Sequence, residues 1–366
     1  FDNRAKVCLK HVPRFVKNFA DAVPEFLYRA LAIPGMVKFS SDVAKARTFR
    51  SKIIWEEAKK RGIAMEQVIF LSNPLDYYRA MLNVKGKIRH YYFESIPIRP
   101  EFLDVGMNWD DKVIMKNEFK KHDIPVPAYL KFSIFSPFGM SKKKIFSELT
   151  KPMIVKPRVG SRGRHTITNI NTFEQFEDAL EVAGKICAHL IAEEHLLGNV
   201  CRATIVNGKL AGFYSAQAPT LIGDGKKTVK ELIAILDNSR EKRVEPIRQN
   251  EELFANLARG ELTLGSILPD GTLFPLTHRM GRLFGGRTKE MLDEVHPSFV
   301  PVLLKAAAVT GLSIVGFDCV IPDPAKDANS QKWGIIECNT LPFIDLHYYA
   351  LEGKPKNIAG MIWDMW

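Results

Sequence analysis

Long hydrophobic runs are missing from this 366-residue chain. No stretch approaches the roughly 18–20 uncharged apolar residues that a membrane-spanning helix needs. The best candidate, residues 24–39, is interrupted by Glu25, Arg29, Pro34 and Lys38, and reads as an amphipathic helix followed by a turn. No membrane role is expected. Cysteine is scarce as well. Cys8, Cys187, Cys201, Cys319 and Cys338 are scattered, with no pair at metal-ligand spacing. They read as buried, reduced thiols of a cytoplasmic protein. Internal repeats and low-complexity tracts are absent. So are the Walker A loop and the Rossmann fingerprint, whose required spacings are missing. No charged-then-apolar leader is legible at Phe1-Asp2-Asn3, and the lack of an initiator Met leaves the native start undefined.

The composition is that of an ordinary globular chain, with 46% hydrophobic and 25% charged residues. Its length suggests two or three packed subdomains. The formal net charge of +11 favours anionic partners. Nucleic acid, an anionic membrane face, nucleotide phosphates and acidic peptides all satisfy it, and charge alone does not choose. The run Lys142-Lys143-Lys144 reads as a solvated face.

Along the chain, residues 42–61 read as a helix capped by Ser41 or Asp42 and stopped at Gly62, with strands at 64–71 and 88–96. A second unit opens at Asp110. It has a helix at 111–122, a strand near 124–132, and a helix at 173–182 started by Asn171 or Thr172 between strands 153–157 and 189–194. A third carries strands at 201–208 and 209–215, helices near 229–235 and 299–309, and a closing strand pair at 313–322 and 333–339 across a polar loop.

That closing pair carries the strongest chemical signal. Strand alternation puts Glu337 and Asn339 on one face together with Trp333 and Ile335, and groups Asp318 with Gly316 and Val320, away from Phe317, Cys319 and Ile321. If the strands pair antiparallel, Asp318 lies opposite or diagonal to Glu337. Two carboxylates facing each other among apolar residues need a shared proton, a cationic side chain or a metal. The oxygen-only set Asp318, Glu337 and Asn339 suits magnesium. A solvent-facing strand with surface lysines meets the same spacing. The turn Thr340-Leu341-Pro342, ending the strand beside the set, favours the metal.

Three further segments add to this. Lys156 ends an apolar strand and is followed by a loop with Gly160, Ser161, Arg162, Gly163 and Arg164, where glycines let backbone N–H groups approach phosphate oxygens. A plain hairpin also accounts for this loop. Lys112 and Lys116 lie one helical turn apart and alone read as an exposed pair. A strand leaving through Glu193 and Glu194 passes Gly198 into another that bears Arg202, which alone reads as a surface arginine.

Taken together and in this order, residues 111–366 resemble the ATP-grasp superfamily. The likeness is to the amino-acid ligase branch with cyanophycin synthetase, bifunctional glutathione synthetase and D-alanine–D-alanine ligase. It rests on the segments at 110–130, 152–164, 191–202, 221–233, 293–323 and 335–348, and on the tail at 353–366. The resemblance implies an α+β fold in which two α/β subdomains clamp ATP, preceded by an N-terminal α/β domain of the pre-ATP-grasp kind. The implied boundaries are 1–108, 109–192 for the central lid, and 193–366 for the part with the metal site. It implies that Lys112 and Lys156 bind the nucleotide, with Gly160, Ser161, Arg162 and Gly163 over the phosphates. Glu193, Glu194, His195 and Leu196 would lie alongside adenine. Asp318, Glu337 and Asn339 would hold one or two Mg2+ ions, with Mn2+ as a substitute, and Lys156 and Arg202 would act in catalysis. The pattern departs from the family at Val200, at Ser215 and Ala216, and at 281–286, near the ribose and acceptor ends.

The implied activity is ATP-dependent amide formation between a carboxylate and an amine, on amino acids or peptides, through an acyl phosphate. His278, Arg279 and His296 are candidates for the acceptor site, against a plain structural role. Small-molecule or peptide substrates, no nucleic acid, no membrane, a cytoplasmic location and a homo-oligomer are the accompanying expectations. Two rivals remain: an ATP-grasp kinase acting on a polyanion such as an inositol phosphate, and a non-catalytic nucleic-acid-binding module.

Overall fold

The computed structural model describes residues 35–99, 106–134, 141–160, 165–185, 187–277 and 279–366. The first sheet is an antiparallel meander of β1 (Val37–Ser40), β2 (Ala64–Phe70), β3 (Asn73–Val84) and β4 (Lys87–Glu94). The helix Phe49–Lys60 covers one face, packing Ile53, Ile54, Trp55 and Ala58 with Met65, Tyr78, Ala80 and Phe93. It starts later than the sequence suggests. Thr48 supplies the cap, its hydroxyl accepting from the Ser51 N–H at 3.2 Å, while Asp42 caps only the short turn Val43–Lys45. Of the helix and turn expected over 24–39, residues 35 and 36 do turn and 37–39 enter β1; the rest lies outside the described residues.

The second sheet has the order β5-β8-β6-β7 and is antiparallel: β5 (Tyr129–Ser133), β6 (Met153–Pro157), β7 (Ile167–Ile170) and β8 (His189–Glu194). Helices Lys142–Glu148 and Phe173–Gly184 share its core through Ile145, Leu149, Phe176 and Leu180. Thr172 and Gln175 form a reciprocal cap that fixes where the second helix begins.

The third sheet positions the site. It is built from β9 (Asn199–Val206) and β10 (Lys209–Ala216). A small lobe follows, of β11 (Thr220–Ile222), helices Val229–Asn238 and Glu251–Arg259, and β12 (Leu273–Pro275), closed on its own leucine-rich core. The sheet then resumes with β13 (Thr288–Glu290), β14 (Ile314–Ile321) and β15 (Gly334–Asn339), in the order β13-β10-β9-β14-β15. Helices Lys112–Lys121 and Phe299–Thr310 bury one of its faces, with Met115, Phe119, Phe299 and Leu303 against Phe317, Cys319 and Ile321. The opposite face carries the charged residues.

Strict alternation fails on β15. Asp318 pairs with Glu337, but Cys319 pairs with Ile335, so an irregularity interrupts the ladder there. The extra residue turns Ile335 to the core face, where it packs with Trp333 and Cys338. Trp333 and Ile335 therefore do not share the Glu337 face, contrary to the alternation argument.

The end of the chain joins the first unit. The helix Ile358–Trp363 lies on the helix Phe49–Lys60 within one core. The Trp363 indole donates to the Ile54 carbonyl at 2.9 Å, Arg61 meets Asp364 at 2.9 Å, and the Trp366 indole donates to the Pro97 carbonyl at 3.3 Å. Trp363→Ala removes a buried aromatic together with the indole's hydrogen bond to the Ile54 carbonyl. We expect a loss of about 3–5 kcal/mol, read as a lower urea midpoint with an unchanged m-value.

Candidate active site

The site begins as one row across the third sheet. Tyr214 on β10 registers with Arg202 on β9, Arg202 with Asp318 on β14, and Asp318 with Glu337 on β15. Directly opposed carboxylates would repel, and each has a cation. Arg202 forks onto Asp318, pairing its Nε with one oxygen and a terminal nitrogen with the other at 2.7 Å. Lys112 reaches Glu337 at 3.3 Å. The Asn339 amide approaches Asp318 at 3.4 Å. Gly316, between Arg202 and the Pro342 turn, must be small: a Cβ there would meet Pro342 at 2.8 Å and Arg202 at 3.3 Å.

Lys112 owes its position to two neighbouring aspartates. Asp111 caps the helix Lys112–Lys121, accepting from Val113 at 2.9 Å, and also binds Arg158 at 2.7 Å, just beyond β6. Asp110 accepts from Thr340 at 3.2 Å, at the exit of β15. The Lys112 ammonium thus sits between the two sheets, donating also to the Gly160 carbonyl at 3.2 Å. A cation at a helix N-terminus is locally unfavourable. It persists because Glu337 and that carbonyl hold it.

The second cluster centres on Glu193. Its carboxylate takes Lys156 at 2.9 Å and Lys116 at 3.3 Å. Lys112, Lys116 and Lys156 are all buried, and so is Glu193. Lys112 and Lys116 are therefore not an exposed pair, and Arg202, 9% exposed, is not a surface arginine. Burial works to raise the Glu193 pKa, and the charges of Lys116 and Lys156 outweigh it, so the group is held below its ordinary value. Lys116 shares that one carboxylate with Lys156. Burial pushes it down to about 7, against the pull of Glu193 and with the repulsion of Lys156. Burial likewise works to lower Arg202, and Asp318 reverses it, leaving the pKa raised. Local pattern gave Lys116 no role; its signal was the four-residue spacing from Lys112 on a helix whose Met115 and Phe119 are core.

Past β8 the chain bends along the joint between sheets. The Glu194 carboxylate accepts from the Ala128 N–H at 3.0 Å and pairs with Lys332 at 2.6 Å. The His195 N–H donates to the Pro152 carbonyl at 3.0 Å. Leu196 is buried beside Gly334. The Glu193 side chain faces the lysines. Gly160 accepts from Lys112 through its carbonyl; Ser161, Arg162, Gly163 and Arg164 lie outside the described residues, as does His278. His296 bonds Ser298 at 2.8 Å at the start of the helix under the opposite face of the sheet, which gives it a structural role rather than an acceptor one. Arg279 lies over the Phe284 ring at 5.5 Å.

Lys116 makes a pH prediction with a definite sign. Its folded pKa of about 7 lies below the ordinary lysine value. The unfolded chain therefore binds more protons above pH 7, and the cost of burying the charged group is relieved as pH rises from there toward 10. Urea stability of the native protein minus that of Lys116→Met should rise over this window by about 1 kcal/mol per pH unit. A flat difference profile would show that Lys116 stays charged throughout.

No family model matches the chain. In sequence it is 29% identical over 220 residues to cyanophycin synthetase of Nostoc sp. (strain PCC 7120), covering 58% of this chain and 24% of that protein. It is 23% identical over 398 positions to the glutathione biosynthesis bifunctional protein of Clostridium perfringens, covering 98% and 48%. In structure it matches the bifunctional glutathione synthetase of Pasteurella multocida with a TM-score of 0.54 at 22% identity, covering 86% and 43%. The chain spans less than half the length of each of these longer proteins. The chain therefore has the ATP-grasp fold and is a relative of the cyanophycin synthetase and bifunctional glutathione synthetase ligases.

Proposed function

We propose that the chain is an ATP-dependent ligase that forms an amide bond between a carboxylate and an amine, on amino-acid or peptide substrates, through an acyl phosphate. One observation carries this reading. Lys112, Lys156 and Arg202 converge from three elements, and each is held by a carboxylate that it can leave for a phosphate. A binding site for a triphosphate needs such convergent positive charge in a water-poor setting.

The donor chemistry of Asp318, Glu337 and Asn339 fits magnesium: two carboxylates side by side and an amide oxygen, all partly accessible. These residues would hold the ion, which when bound supplies electrostatic neutralisation of phosphate oxygens. The chain's own residues do the rest. Lys112 and Arg202, turning from Glu337 and Asp318, counter the charge that grows as a substrate carboxylate oxygen attacks the γ-phosphorus and ADP departs with the bond pair. Lys156, turning from Glu193, counters the same charge. The amine nitrogen then attacks the acyl carbon, the carbon–oxygen bond to phosphate breaks, and phosphate leaves. No protein nucleophile is required. The clamp between the two sheets excludes water, which would otherwise hydrolyse the acyl phosphate.

The relatives reported above are synthetases, which is why the ligase is preferred to a kinase. The products separate the two, since a ligase releases inorganic phosphate with ADP and depends on an amine. We expect a screen of amino acids and acidic peptides with Mg2+ to show amine-dependent ADP and phosphate release. Glu337→Gln should lower it by about a hundredfold with a circular dichroism spectrum like that of the native protein. Undiminished release from that variant would remove Glu337 from the metal site.

A further inference from the structure

The turn that follows Asn339 is gripped from two sides. On one, Asp110, beside Lys112, accepts from the Thr340 N–H and from its hydroxyl, each at 3.2 Å. On the other stands Arg50, which comes from the helix Phe49–Lys60 of the first unit and is only 8% exposed. Its guanidinium donates to the Leu341 carbonyl and lies over the Phe343 ring, 4.8 Å from the ring centre. Between these two contacts Pro342 leans on Gly316, so closely that a Cβ there would meet it at 2.8 Å. Gly316 registers with Asn339 across β14 and β15. The turn thus folds back over the sheet beside the residue that precedes it.

Arg50 is itself held by a polar cluster that the phosphate chemistry leaves unused. A second guanidinium nitrogen donates to the Ser95 hydroxyl at 2.9 Å and stands 3.8 Å from Asp76. Asp76, on β3, accepts from Ser95, from Ser51 at 2.7 Å and from Tyr78 at 3.1 Å. The Tyr78 hydroxyl in turn accepts from the Arg47 N–H at 2.9 Å. Ser51, Tyr78 and Ser95 are fully buried. Ser95 has a φ of +58°, a left-handed conformation that costs a serine free energy. A buried network with its partners in place rigidifies what it holds. It fixes the guanidinium plane, and that plane lets one side chain reach Ser95, the Leu341 carbonyl and the Phe343 face together. A lysine ammonium has no such plane.

We propose that Arg50 is a positioning residue for the metal end of the site. It acts through the turn rather than on phosphate or ion. By holding Leu341 and Phe343 it sets the turn, and through the turn the direction of Asn339, whose amide approaches Asp318 at 3.4 Å. This rests on the reading of Asp318, Glu337 and Asn339 as the Mg2+ set. It also gives the first unit a part in the chemistry, since its helix braces the segment where the ion would bind. Removing a residue that orients metal ligands from outside commonly costs about 10–100-fold in metal affinity or activity.

The test uses the whole protein and ADP, whose affinity is measured by calorimetry with and without Mg2+. The ratio of the two affinities separates the ion's contribution from nucleotide binding and from overall stability. In Arg50→Ala the ratio should fall about tenfold, with the metal-free ADP affinity unchanged. Phe343→Leu, which removes the ring beneath the guanidinium, should lower it about threefold. Arg61→Ala is the control: it lies at the end of the same helix and pairs with Asp364 at 2.9 Å, away from the turn, and should leave the ratio as in the native protein. An unchanged ratio in Arg50→Ala, or an equal fall in Arg61→Ala, overturns the assignment and leaves the ligase standing. A native protein whose ADP affinity ignores Mg2+ removes the metal set and the assignment together. A ratio that depends on Arg50 in a protein without amine-dependent phosphate release keeps the assignment and overturns the ligase. Should Arg50→Ala fail to fold, Phe343→Leu decides, and an unchanged ratio there overturns the assignment.

Discussion

Two carboxylates on adjacent strands of a half-buried sheet cannot remain ionised side by side without nearby positive charge. Asp318 and Glu337 are in that position, and much of the surrounding architecture supplies the answer. Arg202 comes from the neighbouring strand and Lys112 from a helix whose start is fixed by Asp110 and Asp111. Removing Arg202 would leave Asp318 uncompensated, at a cost of about 3–5 kcal/mol. The pairs hold the site together, and the same charges become available when a polyphosphate and a divalent ion replace the protein's own counter-ions. Stability and chemistry therefore draw on one set of contacts.

Glu193 plays the corresponding part on the other sheet. It sits where β8 leaves for the joint, and its carboxylate binds Lys156 from β6 and Lys116 from the helix Lys112–Lys121. While Lys116 keeps its proton, one acid facing two ammonium groups leaves an excess of positive charge in a dry place. That excess attracts an anion more strongly than a balanced pair would. The lysine cluster and the carboxylate row meet at Lys112, which touches both Glu337 and the Gly160 carbonyl.

Much of this was legible in the sequence, for identifiable reasons. Alternation on β14 separates Asp318 from Phe317, Cys319 and Ile321 without ambiguity, because both faces of that strand are strongly typed. On β15 the same rule fails at Ile335, since the irregularity beside it is set by pairing with Cys319 and leaves no mark in composition. The long strand β3 escaped the reading because Asn73, Pro74, Asp76 and Arg79 dilute its apolar pattern. What makes it a strand is pairing on both sides with β2 and β4. The burial of Lys116 could not be read locally, since the acid that permits it lies on another element. The resemblance to known ligases singled out Lys112, Lys156 and Arg202; spacing alone would have left Lys112 and Arg202 on the surface, whereas both are buried.

The clasp between the helices Phe49–Lys60 and Ile358–Trp363 bears on how the molecule is made. A hydrogen bond spanning 309 positions joins Trp363 to Ile54. A ribosome therefore makes the earlier helix and the sheet it lies on long before the later helix that completes their core. Domains made early in synthesis commonly fold as they emerge. Here the surface that meets the later helix stays uncovered in the interval, open to chaperones or to aggregation, and emergence of that helix completes the core of the first unit.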